Sequence, residues 1–275
     1  MSTITAAEVN KLRKQTGAGM MDCKKALVEA DGDFEKAIDI LRKKGQKVAA
    51  KRGDREANEG LVLAKTSDGK RGVMIALNCE TDFVAKNDEF GKLANSILDI
   101  AISKNPSSLD DLLALNFNGS SQSIGEKITE EIGKIGEKID LSSYEVVEGG
   151  RVVAYNHPGN KLASMVGFSQ DASEDLGKDV AMQIAAMNPV SIDKDDVSSE
   201  IIEREIEVGK EQARGEGKPE ELLEKIAMGK LNKFYQENTL MNQQFIKDSK
   251  KTIRQHLESV NKDLKITAFK RIALA

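Results

Sequence analysis

Residues 60–84 read Gly60-Leu61-Val62-Leu63-Ala64-Lys65-Thr66-Ser67-Asp68-Gly69-Lys70-Arg71-Gly72-Val73-Met74-Ile75-Ala76-Leu77-Asn78-Cys79-Glu80-Thr81-Asp82-Phe83-Val84. Two apolar runs, Leu61 to Ala64 and Gly72 to Leu77, flank Ser67-Asp68-Gly69-Lys70. Asp-Gly between such runs signals a hairpin, since both residues tolerate the positive φ that a tight turn needs. The period then changes. Phe90, Leu93, Ala94, Ile97, Leu98 and Ala101 recur at helical spacing, as do Ile124, Ile128, Ile132 and Ile135, so helices follow the hairpin. Strands return at Tyr144 to Val147, Val152 to Tyr155 and Leu162 to Phe168, with turns at Glu148-Gly149-Gly150 and His157-Pro158-Gly159-Asn160, before a helix around Val180 to Met187. Strands grouped with strands and helices with helices predict an α+β fold, a two-subdomain core of antiparallel sheets packed by helices.

The flanks of this core read as helical. Thr5 caps a helix carrying Val9, Leu12 and Arg13, and Thr16-Gly17-Ala18-Gly19 ends it. Asp22 opens a second helix through Leu27 and Ala30, Asp31-Gly32-Asp33 turns the chain, and a third helix with Phe34, Ala37, Ile38 and Leu41 closes at Lys43, Lys44 and Gly45. Residues 1–54 are therefore expected to be a small three-helix domain ending in a basic linker. Two helices of about seventeen residues, roughly 25 Å each, are expected across 197–234 around the break Arg214-Gly215-Glu216-Gly217-Lys218-Pro219. Their apolar stripe, Val197, Ile201, Ile202, Ile206 and Val208 along one helix and Leu222, Leu223, Ile226, Ala227, Leu231 and Phe234 along the other, suits an antiparallel coiled-coil hairpin. The expected division is 1–54, a core N-subdomain 55–140, a core C-subdomain 141–189 with 239–275, and an inserted hairpin module 190–238. Residues 249–260 give one more helix, and Lys265 to Leu274 a closing strand.

Composition narrows the function. At 39% hydrophobic and 31% charged the chain is expected to be soluble and globular, with no apolar run of the roughly 18 residues that a spanning helix needs. Met1-Ser2-Thr3-Ile4-Thr5 lacks the cationic lead of a secretion signal, which points to a cytoplasmic protein without membrane attachment. Cys23 and Cys79 are far apart, and so are His157 and His256. Zinc sites, redox pairs and nucleophilic triads are poorly served by so few of these residues. Residues 1–58 carry 13 Lys/Arg against 9 Asp/Glu while the whole chain is at -4. The cluster Arg42, Lys43, Lys44, Lys47, Lys51, Arg52 and Arg55 reads as a solvated helix end rather than a nucleic-acid footprint, since aromatics are 4% and tryptophan is absent.

Three features invite chemistry. Thr16-Gly17-Ala18-Gly19 follows a helix rather than a strand, so it reads as a tight interhelical turn and not as a phosphate cradle. Of Met20 and Met21 after it, one is expected in the core and one as an adaptable contact. Asp110-Asp111, Glu130-Glu131 and Asp195-Asp196 are adjacent pairs that diverge on a helix, and so read as solvated surface or helix-start residues rather than acid/base dyads. The sharpest segment runs from Asn78 to Asn87, out of a strand and into a helix. Phe83 has two readings there: a core plug with Asp82 capping the next helix, or an exposed aromatic wedge beside a carboxylate.

Leu12-Arg13-x-x-Thr16-Gly17-Ala18-Gly19-Met20-Met21-Asp22-Cys23-Lys24-Lys25-Ala26-Leu27 and Asn78-Cys79-Glu80-Thr81-Asp82-Phe83-Val84-Ala85-Lys86 resemble the two signatures of the bacterial translation elongation factor Ts family. Tyr155-Asn156-His157-Pro158-Gly159, Val180-Ala181-Met182-Gln183-Ile184-Ala185-Ala186, Gly217-Lys218-Pro219 and Gly229-Lys230-Leu231-Asn232-Lys233-Phe234 also stand in that family's order. The resemblance covers essentially the whole chain. It implies a UBA-like N-terminal domain, a projecting helical hairpin, and a guanine-nucleotide exchange factor for elongation factor Tu rather than an enzyme. By the same resemblance Leu12, Met20 and Met21 touch the GTPase domain of the partner, Asp82 and Phe83, with Thr81 and Val84 beside them, intrude near the magnesium site, and His157 helps to hold another domain. No cofactor is expected in the chain itself, which acts on the GDP and Mg²⁺ of its partner; a homodimer or a 2:2 complex with that partner stays open.

Ala76, Ala163 and Gln244 depart from the family's common Glu, Gly and Pro, away from the wedge. The sequence stops at Ala275, soon after Phe269-Lys270-Arg271, so the further C-terminal module of some members is expected to be absent. The rival reading is a non-exchanging structural or chaperone-like interaction protein of the translation apparatus.

Overall fold

A reciprocal cap starts the first helix. In a computed structural model of the chain, which describes residues 4–274, the Thr5 hydroxyl accepts from the Glu8 amide while the Glu8 carboxylate accepts from the Thr5 amide at 2.7 Å, opening α1 (Ala6–Thr16). Met1, Ser2, Thr3 and Ala275, which bear the readings made of the two chain ends, lie outside the described residues. Gly17 at φ 70° ends α1 in the left-handed conformation. α2 (Met20–Glu29) begins two residues before the expected Asp22, which lies in its first turn. Asp33 caps α3 (Phe34–Arg52). Val9, Leu12, Cys23, Leu27 and Ala37 make the core of the three helices.

α3 does not close at Gly45, and residues 46–52 are helix rather than linker. Gly45 is buried inside α3 against α7 (Ile124–Ile135), where a Cβ on Gly133 would lie 2.6 Å from the Gly45 Cα. Two glycines thus let two helices cross in near backbone contact, a demand that outweighs glycine's low helix propensity. Lys44 pairs with Asp22 instead of facing the end of a helix.

β1 (Glu59–Ser67) and β2 (Arg71–Cys79) form the expected hairpin, with Asp68 at φ 37° and Gly69 at φ 74° in the turn. After it come α4 (Asp82–Ala85), α5 (Asp88–Lys104), α6 (Leu109–Ala114), α7 and β3 (Ile139–Glu148). α5 buries its whole expected face, whereas α7 buries Ile124, Ile128 and Ile132 and leaves Ile135 partly exposed at its end. β4 (Arg151–Asn156), β5 (Leu162–Phe168), α8 (Glu174–Met187), α9 (Ser199–Gly215), α10 (Glu220–Asn238), β6 (Gln244–Phe245), β7 (Asp248–Thr252), α11 (Ile253–Val260) and β8 (Ile266–Ala273) complete the order. The sheets run β1-β2-β3, β4-β5-β8 and β6-β7, and β4 pairs antiparallel with β5 from Arg151↔Phe168 to Asn156↔Ala163.

The α+β class holds, with corrections in detail. Glu148-Gly149-Gly150 closes no hairpin, because β3 and β4 belong to different sheets. Its backbone lies so close to β5 that a Cβ on Gly149 would sit 2.7 Å from the Phe168 carbonyl oxygen. Residues 249–252, expected as helix, belong to β7, since the reciprocal cap of Thr252 and Gln255 starts α11 only at Ile253. In the α9–α10 hairpin the buried seam is Gly209, Ala213, Leu223, Ala227 and Leu231, while Val208 and Leu222, expected in the stripe, are exposed. At Gly209 the two helices approach closely, a Cβ there standing 3.1 Å from the Ala227 Cα, and Val197, expected on the first helix, precedes α9. His256 is partly packed, stacked on Phe245 with ring centroids 4.3 Å apart.

The chain divides into two compact units, one holding the residues up to Leu63 with Ile75–Tyr144, the other Ala64–Met74 with Glu145–Ile272. Among the described residues no helix is long and apolar enough to cross a membrane, and no group of three or more His, Cys, Asp or Glu is placed to hold a metal ion.

Glu130 and Glu131 are not the solvated pair expected. Lys127 and Lys134, one helical turn away on either side, each reach both carboxylates on the half-buried face of α7. Burial alone would raise the Glu130 carboxyl, but hydrogen bonds from Lys134, Gln122 and Lys127 outweigh it and bring it from 4.5 down to about 2. The folded value is depressed, so the associated stability is complete above about pH 4.5 and is lost as pH falls toward 2. With a discount for partial exposure this is about 1–2 kcal/mol. Urea denaturation of Glu130→Gln against the parent should show a gap at pH 6 that narrows by pH 3; a constant gap would mean that the lattice makes no charge-dependent contribution.

Candidate partner-binding site

The last residues of β2 and the turn after it anchor one another residue by residue. The Asn78 amide donates to the Ala57 carbonyl at 3.0 Å and its oxygen accepts from the Ser142 hydroxyl at 2.6 Å. The Cys79 thiol donates to the Thr81 carbonyl at 3.1 Å. Burial, with the Glu137 charge adding to it, pushes that thiol up to about 12, so Cys79 is a structural donor and not a nucleophile. Glu80 accepts from the Lys138 amide at 2.7 Å and from the Arg52 guanidinium at 2.9 Å and 3.0 Å. The Lys138 bond first, then Arg52, holds the Glu80 carboxyl below its ordinary range despite burial. Thr81 donates both its amide, at 3.0 Å, and its hydroxyl, at 2.7 Å, to the Glu137 carboxylate.

On this base stands α4. Thr81 caps it toward the Val84 amide, and Asn87, not Asp82, caps α5. Asp82 lies in the first turn of α4 and pairs with Lys86 one turn later at 2.6 Å, while Val84 is half-buried. Phe83 is 83% exposed. Burying that ring is worth about 2–3 kcal/mol, which an isolated chain forgoes. The core-plug reading is therefore excluded, and a large apolar ring projects from a fixed one-turn helix beside a carboxylate.

The α1–α2 turn presents a second apolar group. Met20 and Met21 are 51% and 61% exposed, so neither is the core residue that one was expected to be. α2 starts at Met20, with Gly19 as its cap, and its buried face begins only at Cys23. The Gly17 amide is taken by the Arg13 carbonyl at 2.8 Å and the Ala18 amide by the Thr16 hydroxyl at 3.3 Å. Two of the amides that a phosphate cradle would use are thus spent inside the turn. Leu12, at 0% exposure in the three-helix core, offers no side-chain surface to a partner; it supports the turn that carries the methionines. His157, in the other unit, is exposed on the β4–β5 turn. Tyr155 holds its Nδ1 at 2.9 Å, leaving Nε2 as the outward polar edge of the ring, and Asn156 fastens the turn to Ala64 by bonds of 2.7 Å and 2.9 Å.

Sequence reasoning singled out the tip residues and missed their supports, Arg52, Glu137, Lys138 and Tyr155. The first three lie far from the tip in sequence; only Tyr155, two residues from His157, was near enough to be legible.

A model of the family described as Elongation factor TS matches residues 80–275, from the base of α4 to the end of the chain. The chain is 53% identical over 279 residues to the elongation factor Ts of Cytophaga hutchinsonii, covering 100% of both sequences. It is 52% identical over 277 residues to that of Christiangramia forsetii, again over 100% of both, and 50% identical over 271 residues to that of Porphyromonas gingivalis, over 98% of both. Matches of this length, running through the anchored turn, the His157 turn and the helical hairpin together, show that the chain belongs to the elongation factor Ts family.

Proposed function

We propose that this chain, as a member of that family a guanine-nucleotide exchange factor for elongation factor Tu in translation elongation, releases GDP by inserting the Asp82–Phe83 tip of α4 beside the partner's magnesium and phosphate site. The exposure of Phe83 on an anchored one-turn helix is the observation that carries this reading. Mg²⁺ demands near-ideal octahedral geometry. Displacing the elements that hold it weakens GDP without breaking a covalent bond, so the chain needs neither a metal nor a cofactor of its own.

Magnitudes require more than the tip. Weakening a nucleotide roughly 10⁴-fold takes about 5.5 kcal/mol of coupling, whereas full burial of one phenylalanine supplies about 3 kcal/mol at most. Met20 and Met21 in one unit and His157 in the other are the further contacts that make up the difference, Met20 and Met21 as adaptable apolar groups and His157 through Nε2. Reciprocity follows from linkage: GDP weakens the complex by the factor by which the complex weakens GDP, so the ternary state is transient.

Release of fluorescent GDP from elongation factor Tu, in excess unlabelled GDP, should accelerate with added chain and then saturate. Binding that leaves the release rate unchanged would instead support a structural or chaperone-like interaction protein.

A further inference from the structure

We propose that Glu137 is a positioning residue for nucleotide exchange, holding α4 so that the Asp82–Phe83 tip enters the partner in one orientation; this rests on the wedge reading above. A four-residue helix has too few hydrogen bonds to hold its own geometry. What fixes α4 is its first residue boundary. Both polar groups of the Thr81 cap, amide and hydroxyl, donate to the one Glu137 carboxylate at 3.0 Å and 2.7 Å. Because the hydroxyl proton goes to Glu137, a lone pair of the same oxygen remains for the Val84 amide at 3.5 Å, which is the cap itself.

A second carboxylate runs the opposite way. Glu80, from the tip segment, accepts from the Lys138 amide, next to Glu137. The two segments therefore hold each other by reciprocal charge-assisted bonds one residue apart. Arg52 at the end of α3 grips Glu80, and the Lys138 ammonium donates to the carbonyls of Gly53 and Arg55 at 2.9 Å and 3.0 Å. The brace ties the tip to α3 as well as to the segment after α7. None of these four side chains is part of the exposed tip. Glu137 reaches the tip through the two Thr81 bonds, so its effect passes through the orientation of α4.

The test is the GDP-release assay on the full chain, read as maximal rate and half-saturating concentration separately, for Glu137→Ala, Glu137→Gln, Phe83→Ala and the Glu137→Ala/Phe83→Ala pair. Glu137→Ala should lower the maximal rate about tenfold with less than a threefold change in half-saturating concentration, since the tip is misaimed while the other contacts persist. Glu137→Gln, which keeps an acceptor oxygen for Thr81, should recover most of that loss. In the pair the two losses should not multiply, because both act on the same ring. A maximal rate for Glu137→Ala within twofold of the parent, or losses that multiply in the pair, would overturn the inference. If Phe83→Ala alone exchanges normally, the wedge reading itself fails, a result distinct from a Glu137 effect that does not pass through Phe83. Should Glu137→Ala fold poorly by circular dichroism, Thr81→Val and Thr81→Ser decide: loss in the first with recovery in the second supports the brace, and equal behaviour rejects it.

Discussion

Alanine at both Asp82 and Phe83 should leave a folded chain that has lost most of its exchange activity. Phe83 is 83% exposed, so its removal takes almost nothing from the core. The Asp82–Lys86 pair at 2.6 Å is a surface i,i+4 contact, worth roughly 0.3–0.5 kcal/mol. The stability change is therefore expected within about 0.5 kcal/mol, a shift of about 2 °C or less in Tm for a chain of this size. The functional loss is governed by other quantities. About 2–3 kcal/mol of aromatic burial, if realised only when the nucleotide site is displaced, corresponds to a fall of about two orders of magnitude in the GDP-release acceleration. The partner should still bind through Met20, Met21 and His157, more weakly but measurably. Calorimetry and the release assay on one preparation separate the cases: an unfolded variant would return Phe83 to the core, and a folded variant with full exchange would remove the wedge.

This separation of stability from function explains which parts of the molecule were legible in its sequence. Local signals were readable where one residue decides one turn. Asp68-Gly69 gave the hairpin and Thr5 the first cap, and six apolar residues gave the buried face of α5. Readings failed where the deciding partner was distant. Gly45 looks like the end of a helix until Gly133 is known to face it. Glu130 and Glu131 look solvated by adjacency, yet Lys127 and Lys134 pair with both on a half-buried face. Met20 and Met21 look like one core and one contact residue until α2 is known to start at Met20, which puts both ahead of the buried face. The tip followed the same rule. Asp82 and Phe83 stood out by composition, but the choice between plug and wedge needed the exposure, and the brace needed a carboxylate fifty-six positions away in sequence.

The α3–α7 crossing makes the same dependence testable in reverse. Glycine in a helix interior costs about 0.5–1 kcal/mol relative to alanine. Gly229 in α10 has nothing within 4 Å of an added Cβ, and Gly229→Ala should stabilise the chain by about that amount. Gly133→Ala gains the same propensity and should nevertheless destabilise by about 1–2 kcal/mol net, because its Cβ would meet the Gly45 Cα at 2.6 Å and force the helices apart; Gly133→Val should cost about 3 kcal/mol or more. Urea denaturation midpoints for the three variants give the signs directly. The displacement also reaches the site. α3 ends in Arg52, which grips Glu80, and α7 is followed within two residues by Glu137, which holds Thr81. Moving one helix off the other pulls the two halves of the brace in different directions, so Gly133→Ala should lower the maximal GDP-release rate even where the chain remains fully folded. Gly229→Ala should leave that rate unchanged. A destabilised Gly133→Ala with normal exchange would confine the crossing to a structural role and leave the aim of α4 to Glu137 alone.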